Sequence, residues 1–143
     1  KAIGVSNFLP HHLKPLMENA EIQPMFDQLE RHPGYMQLDA VQFCKGHNIF
    51  VEAWAPMGHG TILQNEKLVS MANKYKKSVA QLCIRWHLQH GMSAIPKSVH
   101  PDRIRQNYDV FDFSISDEDM KVIDDMNAMQ ARFGAHPDMF DFC

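Results

Sequence analysis

The feature that most constrains this chain is a regular alternation of short apolar runs with longer amphipathic runs. The apolar runs cover residues 2–5, 22–29, 49–54 and 93–96, and each is followed by a stretch with hydrophobic residues at helical spacing. A parallel pair of strands needs a crossover connection, so strands that alternate with helices imply a parallel sheet covered by helices. The sequence therefore predicts an α/β protein.

The amphipathic runs predict six helices, and two of them carry local signals of their own. Ser78 followed by Gln81 forms a capping-box pattern, and Pro101 suits the first turn of a helix. The helix after Ser78 has a stripe of apolar residues that we expect to be buried, and it includes Cys83. The predicted helices are residues 11–19, 37–47, 66–75, 78–90, 101–107 and 116–126.

Two architectures share this order of elements. A doubly wound sheet would carry a glycine-rich G-x-G-x-x-G turn after its first strand, and the sequence has none there. A (β/α)8 barrel needs roughly 250 residues, so four βα units would supply about half of one. The sequence also enters a strand directly after Lys1, which leads us to expect that it is a piece of a longer protein.

Charge, hydropathy and cysteine content exclude several classes of protein. The net charge of −3 gives no basic face, so we do not expect nucleic acid as a partner. No apolar run approaches the roughly 18–20 residues that a membrane span requires, and no signal peptide is visible. Three cysteines, Cys44, Cys83 and Cys143, lie far apart in the sequence. Their odd number argues against a disulfide framework and favours a reducing compartment such as the cytoplasm.

Polar side chains stand where the predicted strands end, which is where a barrel of this kind places its function. They comprise amide and hydroxyl groups, one flat aromatic ring and two cations, and they include no typical nucleophile–base pair. Such a set suits a ligand that has an amide, a stacking ring and phosphates. The residues are Ser6, Asn7, Gln28, Trp54, Lys97 and Ser98, with Arg103 and Asn107 on the following helix.

Several segments, in order along the whole chain, resemble the signatures of the aldo-keto reductase family. The N-terminal G-V-S-N-F of residues 4–8 is one of them, and the I-P-K-S of residues 95–98, followed by R-I and N, is another. Residues 28–33 resemble its N-Q-x-E-x-H-P segment, with Asp27 where Asn is usual, and residues 51–54 match its V-E-A-[YW] strand. The tail, residues 136–138 with 141–142, is similar to the short-tailed, diketo-gluconate-reductase-like members.

The resemblance implies a fold and a function. Residues 1–143 would be the C-terminal half of a (β/α)8 TIM barrel, strands five to eight, in an enzyme that reduces aldehydes or ketones with NADP(H). The proton-donating Tyr and its Lys, His and Asp helpers lie upstream in this family. The chain would therefore contain no catalytic residue, and the missing N-terminal half would be its partner. The tail from Ala128 onward is expected to fold over the substrate pocket.

The resemblance also assigns roles to the strand-end residues. Ser6, Asn7 and Gln28 would hold the nicotinamide carboxamide, and Trp54 would stack on the ring. The adenosine end would be bound by Lys97, Ser98 and Arg103 at its 2′-phosphate and by Asn107, with Gln106 beside it, at the adenine. Departures from the family pattern at Ala55 and in the loop 59–61 bear on the pyrophosphate contacts.

Each of these residues also has a purely structural interpretation. Ser6 and Asn7 would cap a helix, Gln28 would be a satisfied buried amide, and Trp54 would belong to the core. Lys97 would be a solvated surface lysine, and Arg103 would pair with Asp102 or with a nearby carboxylate. The nine histidines include the adjacent pair His11 and His12, but no Cys or carboxylate joins them at a zinc-like spacing, so no metal site is predicted. A non-catalytic binding or structural protein on the same fold is the alternative function.

Overall fold

The computed structural model describes residues 2–127 and 132–139. In this part of the chain, four parallel strands form one sheet in the order β1-β2-β3-β4. The α/β fold with parallel strands that the sequence predicts is therefore confirmed. The strands are β1 (Gly4–Ser6), β2 (Phe26–Glu30), β3 (Phe50–Trp54) and β4 (Ser93–Ile95). The helices are α1 (Pro10–Asn19), α2 (Leu38–Gly46), α3 (Glu66–Lys74), α4 (Val79–Gln89), α5 (Pro101–Tyr108) and α6 (Asp117–Asp124), with 3₁₀ segments at Gly58–Gln64 and Pro137–Met139.

The two faces of the sheet differ in burial because side chains alternate along a strand. On β2 and β3, Asp27, Leu29, Val51 and Ala53 are buried beneath the helices. Gln28 and Glu52, between them, face the opposite side and are half-buried, and Phe50 on that side is 48% exposed. The helices thus cover one face, and the other face is open in the described part of the chain.

The covered face holds two hydrophobic clusters. One joins α1 and α2 to β2 and β3 through residues such as Leu13, Leu29 and Cys44, and the other joins α3, α4 and α6 through Leu82 and Trp86. The predicted capping box is confirmed. The Ser78 hydroxyl accepts from the backbone N–H of Gln81 at 3.3 Å, and the side-chain Oε1 of Gln81 accepts from the backbone N–H of Ser78 at 3.0 Å. Cys83 is fully buried as predicted, and burial raises the pKa of its thiol to about 12.

Several boundaries differ from the sequence prediction. The second strand begins at Phe26 rather than at residue 22, because Pro24 has no N–H for a ladder and Ile22 is 50% exposed. The segment after β3, predicted as a loop, contains a 3₁₀ segment broken by left-handed backbone at His59 and Gly60, with φ of 53° and 92°. None of the helices in the described ranges combines the length and the hydropathy needed to cross a membrane.

Candidate functional site

Four of the predicted site residues meet at the carboxyl ends of β1, β2 and β3. Ser6 pairs with Gln28 in register, and the Ser6 hydroxyl donates to the Gln28 carbonyl at 3.1 Å. The backbone amide of Asn7 donates to the same carbonyl at 2.9 Å. The indole N–H of Trp54 reaches across to the Asn7 Oδ1 at 2.8 Å. The structure therefore brings Ser6, Asn7, Gln28 and Trp54 together in one group.

One of the structural interpretations fails at this end. The N-cap of α1 is Leu9, so Ser6 and Asn7 do not cap that helix. Asn7 has a φ of 58°, a left-handed conformation that Asn tolerates better than most residues. Trp54 and Gln28 are only half-buried, and the indole N–H of Trp54 is bonded to a side chain of the group. Both lie on the side of the sheet that the helices leave uncovered in the described residues.

The hydrogen bonds fix which way the two amide side chains face. A carboxylate only accepts, so the Nε2 of Gln28 must face Glu52, to whose Oε1 it donates at 2.9 Å. An indole N–H only donates, so the Oδ1 of Asn7 must face Trp54. The Nδ2 of Asn7 donates one N–H to the Ser6 hydroxyl at 3.3 Å, and its second N–H can donate to a ligand. The pair thus offers a ligand one acceptor, Gln28 Oε1, and one donor, Asn7 Nδ2.

The other four predicted residues line a single cavity of about 500 Å³ between the end of β4 and α5. Lys97 and Arg103 are exposed there, and within residues 2–127 and 132–139 neither makes a salt bridge. The interpretation of Arg103 as a partner of Asp102 is wrong, since Asp102 lies 3.8 Å from Arg105 instead. Two cations without a protein counter-ion at one cavity suit a phosphate. The lining includes Lys97, Ser98, Arg103, Gln106 and Asn107, together with Met57 beyond β3.

Glu30 at the end of β2 is a site residue that sequence reasoning missed, although it lies inside the E-x-H-P segment. Its carboxylate is fully buried and accepts the backbone amides of Phe133 and Gly134 at 2.7 and 2.9 Å. From the same tail, Arg132 donates to the Asn7 Oδ1 at 3.2 Å. Residues 132–134 are therefore tied to the strand ends, whereas residues 128–131 and 140–143, Cys143 included, lie outside the described residues.

Three histidines near the strand ends and the tail have defined partners. His32, within the E-x-H-P segment, is fully buried; its Nδ1 donates to the Pro33 carbonyl at 3.1 Å, and burial lowers its pKa. His11 and His12 have a carboxylate partner from far along the chain, because both Nε2 atoms lie within 2.9 Å of the Asp138 Oδ1. No pattern in the sequence predicts this contact between α1 and the tail.

The cluster of His11, His12 and Asp138 has the atom types of a metal site, with candidate ligand atoms within 4.8 Å of one another. However, the Nδ1 of His12 accepts the backbone amide of Leu9 at 3.1 Å, so its Nε2 carries the proton when the ring is neutral. A protonated nitrogen donates to Asp138 and offers a metal no lone pair. The cluster is a hydrogen-bonded link between α1 and the tail.

Comparisons with known proteins show which proteins this chain is similar to. The chain is 50% identical over 138 residues to a glyoxal reductase of Bacillus subtilis, a match that covers 96% of this chain. It is 47% identical over 143 residues to a 9,11-endoperoxide prostaglandin H2 reductase of Trypanosoma cruzi, a match that covers 98% of this chain. The chain spans about half the length of each of these relatives. It superposes with a TM-score of 0.94 and 41% identity on a D53A mutant of Gox0644 solved in complex with NADPH, matching 99% of this chain and 52% of that one.

The profile of the aldo/keto reductase family matches residues 1–128, which is most of the chain. Three of the segments that resemble this family in the sequence, residues 4–8, 28–33 and 95–98, lie at or beside the strand ends. The chain belongs to the aldo/keto reductase family.

Proposed function

We propose that the whole protein is an NADP(H)-dependent oxidoreductase that reduces aldehydes or ketones to alcohols, and that this chain carries its cofactor-binding half. The observation that carries the proposal is the fixed amide pair. Asn7 offers a donor and Gln28 an acceptor beside the half-exposed ring of Trp54. A primary carboxamide attached to a flat ring, as in nicotinamide, presents the complementary acceptor and donor.

The same proposal gives a role to the second cavity. Lys97, Ser98 and Arg103 would bind the 2′-phosphate, and Asn107 would contact the adenine, since these residues share one lining. The cavity also includes Met57, three residues beyond Trp54, so the two halves of a dinucleotide would follow the carboxyl ends of adjacent strands. The NADPH complex of a similar structure supports this choice of cofactor.

The proposed architecture is half of a (β/α)8 barrel, strands five to eight, formed by residues 1–143. The open face of the sheet, which includes Phe50 and Ile95 at 48% and 44% exposure, would be the barrel interior. The N-terminal half of the barrel would cover it. The match to about half of each relative supports this division.

Proton delivery would come from that other half. Tyr75, one of three tyrosines, is used elsewhere, because its hydroxyl donates to Asp119 and accepts the Ser116 amide between α3 and α6. We therefore propose no catalytic residue within this chain. The cytoplasm is proposed as the compartment, since Cys44 and Cys83 are both free thiols.

The test is NADPH oxidation in the presence of a simple aldehyde, measured for the whole protein and for this chain alone. Turnover by the whole protein, with NADPH binding but no turnover by the chain, supports the proposal. Turnover by the chain alone contradicts the division of roles. Binding without turnover by the whole protein favours the non-catalytic alternative, and a whole protein that binds no NADPH refutes both.

A further inference from the structure

We propose that Glu52 is a positioning residue that fixes the orientation of the Gln28 amide, and so makes the site selective for a ring that bears a primary carboxamide over one that bears a ketone. The inference rests on the proposed function, because it concerns the nicotinamide end of the same site. It assigns a role to a residue of β3 that is not proposed to contact the ligand itself.

The register of the sheet puts Glu52 between two polar neighbours. Glu52 pairs with Gln28 on β2 and with Ser93 on β4, and all three side chains are half-buried on the open face. Its Oε1 accepts from Gln28 Nε2 at 2.9 Å and its Oε2 accepts from the Ser93 hydroxyl at 2.9 Å. Both carboxylate oxygens are therefore held, one by each adjacent strand.

This arrangement gives Gln28 a single favoured orientation. If the amide were reversed, its Oε1 would face the Glu52 Oε1, and two acceptors would replace a donor–acceptor pair. The carboxylate cannot turn away to relieve this contact without losing the bond from Ser93. Charge-assisted hydrogen bonds are stronger than neutral ones, so Gln28 is held with its Oε1 directed away from Glu52.

The partner amide is fixed in the opposite sense. The Oδ1 of Asn7 accepts from both Trp54 and Arg132, at 2.8 and 3.2 Å, which leaves its Nδ2 as the donor. A carboxamide satisfies both groups, with its carbonyl on Asn7 and its NH₂ on the Gln28 Oε1. An acetyl group in its place has a carbonyl for Asn7 but brings a methyl group against the Gln28 acceptor.

The experiment measures the dissociation constants of the whole protein for NADP⁺ and for its acetylpyridine analogue, in which a methyl ketone replaces the carboxamide. Wild-type protein is expected to prefer NADP⁺ by about tenfold, the value of one hydrogen bond. In Glu52→Gln the new amide can present either oxygen or nitrogen to Gln28, which can then reverse. The preference is expected to fall to about threefold or less.

The controls separate positioning from folding. Glu18→Gln makes the same chemical change on the exposed surface of α1 and should keep the wild-type preference. Binding of the isolated 2′-phosphorylated adenosine half should be unchanged in Glu52→Gln, because that half does not reach Glu52. If Glu52→Gln does not fold, Ser93→Ala, which removes only the second support of the carboxylate, is expected to lower the preference by a smaller factor.

A Glu52→Gln protein that binds both ligands with the wild-type preference overturns the inference and leaves the proposed function standing. A wild-type protein that binds neither ligand overturns both together. A parallel loss of affinity for the two ligands, with the preference unchanged, shows a merely structural role and also counts against Glu52 as a positioning residue.

Discussion

The two ends of the proposed cofactor site are built in different ways. At the amide end, Asn7 and Gln28 are each held by neighbours on other elements. At the phosphate end, Lys97 and Arg103 are exposed and have no salt-bridge partner in the described residues. The amide end therefore has a fixed shape and fixed hydrogen-bond directions before a ligand binds, whereas the phosphate end supplies charged side chains that the ligand itself must order.

The largest expected effect concerns the buried support of the amide end. Asp27 is fully buried on the helix side of β2, next to Gln28, and burial raises the pKa of its carboxyl to about 7. Between pH 4 and 7 the folded state therefore holds a proton on Asp27 that the unfolded chain, with a pKa near 3.8, has already released. The free energy of unfolding should therefore fall as the pH rises through this interval, by up to about 1.4 kcal/mol per pH unit.

Asp27→Asn is the matched test, because an amide keeps the shape and stays neutral at every pH. Chemical denaturation of the whole protein at several pH values should show this part of the pH dependence removed, with a gain in stability above pH 7. An unchanged pH profile would show that Asp27 does not bind a proton in the folded state.

The phosphate end should respond most strongly in affinity. Replacing both Lys97 and Arg103 by Ala is expected to weaken NADPH binding by roughly a hundredfold. NADH, which lacks the 2′-phosphate, should bind as it does to wild type. Titration of each cofactor by fluorescence checks this, and Arg105→Ala, on the same helix but paired with Asp102, is the control. Equal losses for NADPH and NADH would contradict the assignment.

The amide end should behave in the opposite way. Asn7→Ala removes the donor and leaves the Trp54 N–H without its acceptor. We expect a loss of about tenfold that is the same for NADPH and NADH. The ratio of the two affinities thus separates the ends, and a change of this ratio in Asn7→Ala would erase the distinction between them.

The smallest effect is expected where the tail meets the amide end. A Cβ added at Gly134 would lie 2.8 Å from the Trp54 ring and 3.2 Å from a Glu30 oxygen, so the tail must shift in Gly134→Ala. Because overpacking of this kind is partly relieved by such shifts, we expect NADPH affinity to fall by about threefold. Gly91→Ala, with no atom within 4 Å of its added Cβ, controls for glycine replacement at a site without crowding, and its left-handed φ should cost stability alone. An unaltered affinity in Gly134→Ala would place the tail outside the site.

Much of the site was predictable because its members stand at or near the carboxyl ends of strands. The order of apolar runs predicts that four polar or aromatic residues lie close together, because parallel strands bring their carboxyl ends to one edge. These residues are Ser6, Gln28, Trp54 and Lys97. This prediction depends only on the position of each strand end. It tolerates the error in the start of β2, which shifted by four residues, from 22 to 26, while its end stayed near Gln28.

The supporting residues were not predictable for a different reason. Glu52 acts through Gln28 and Ser93, and their meeting depends on the register between strands, which apolar runs do not specify. Glu30 and Arg132 meet residues about a hundred positions away, and His12 meets Asp138 across a similar interval. Such contacts follow from the path of the tail, and that path has no periodic signal.

The two edges of the sheet affect how the chain behaves in solution. β1 and β4 each have one strand neighbour in the described part of the chain, so two rows of peptide groups remain available for pairing. The state of the isolated polypeptide should then depend on its concentration, as it does for any subunit whose folding is linked to association. Dilution would favour a loosened monomer, and high concentration would favour self-association or, when the proposed N-terminal half is supplied in trans, assembly with it.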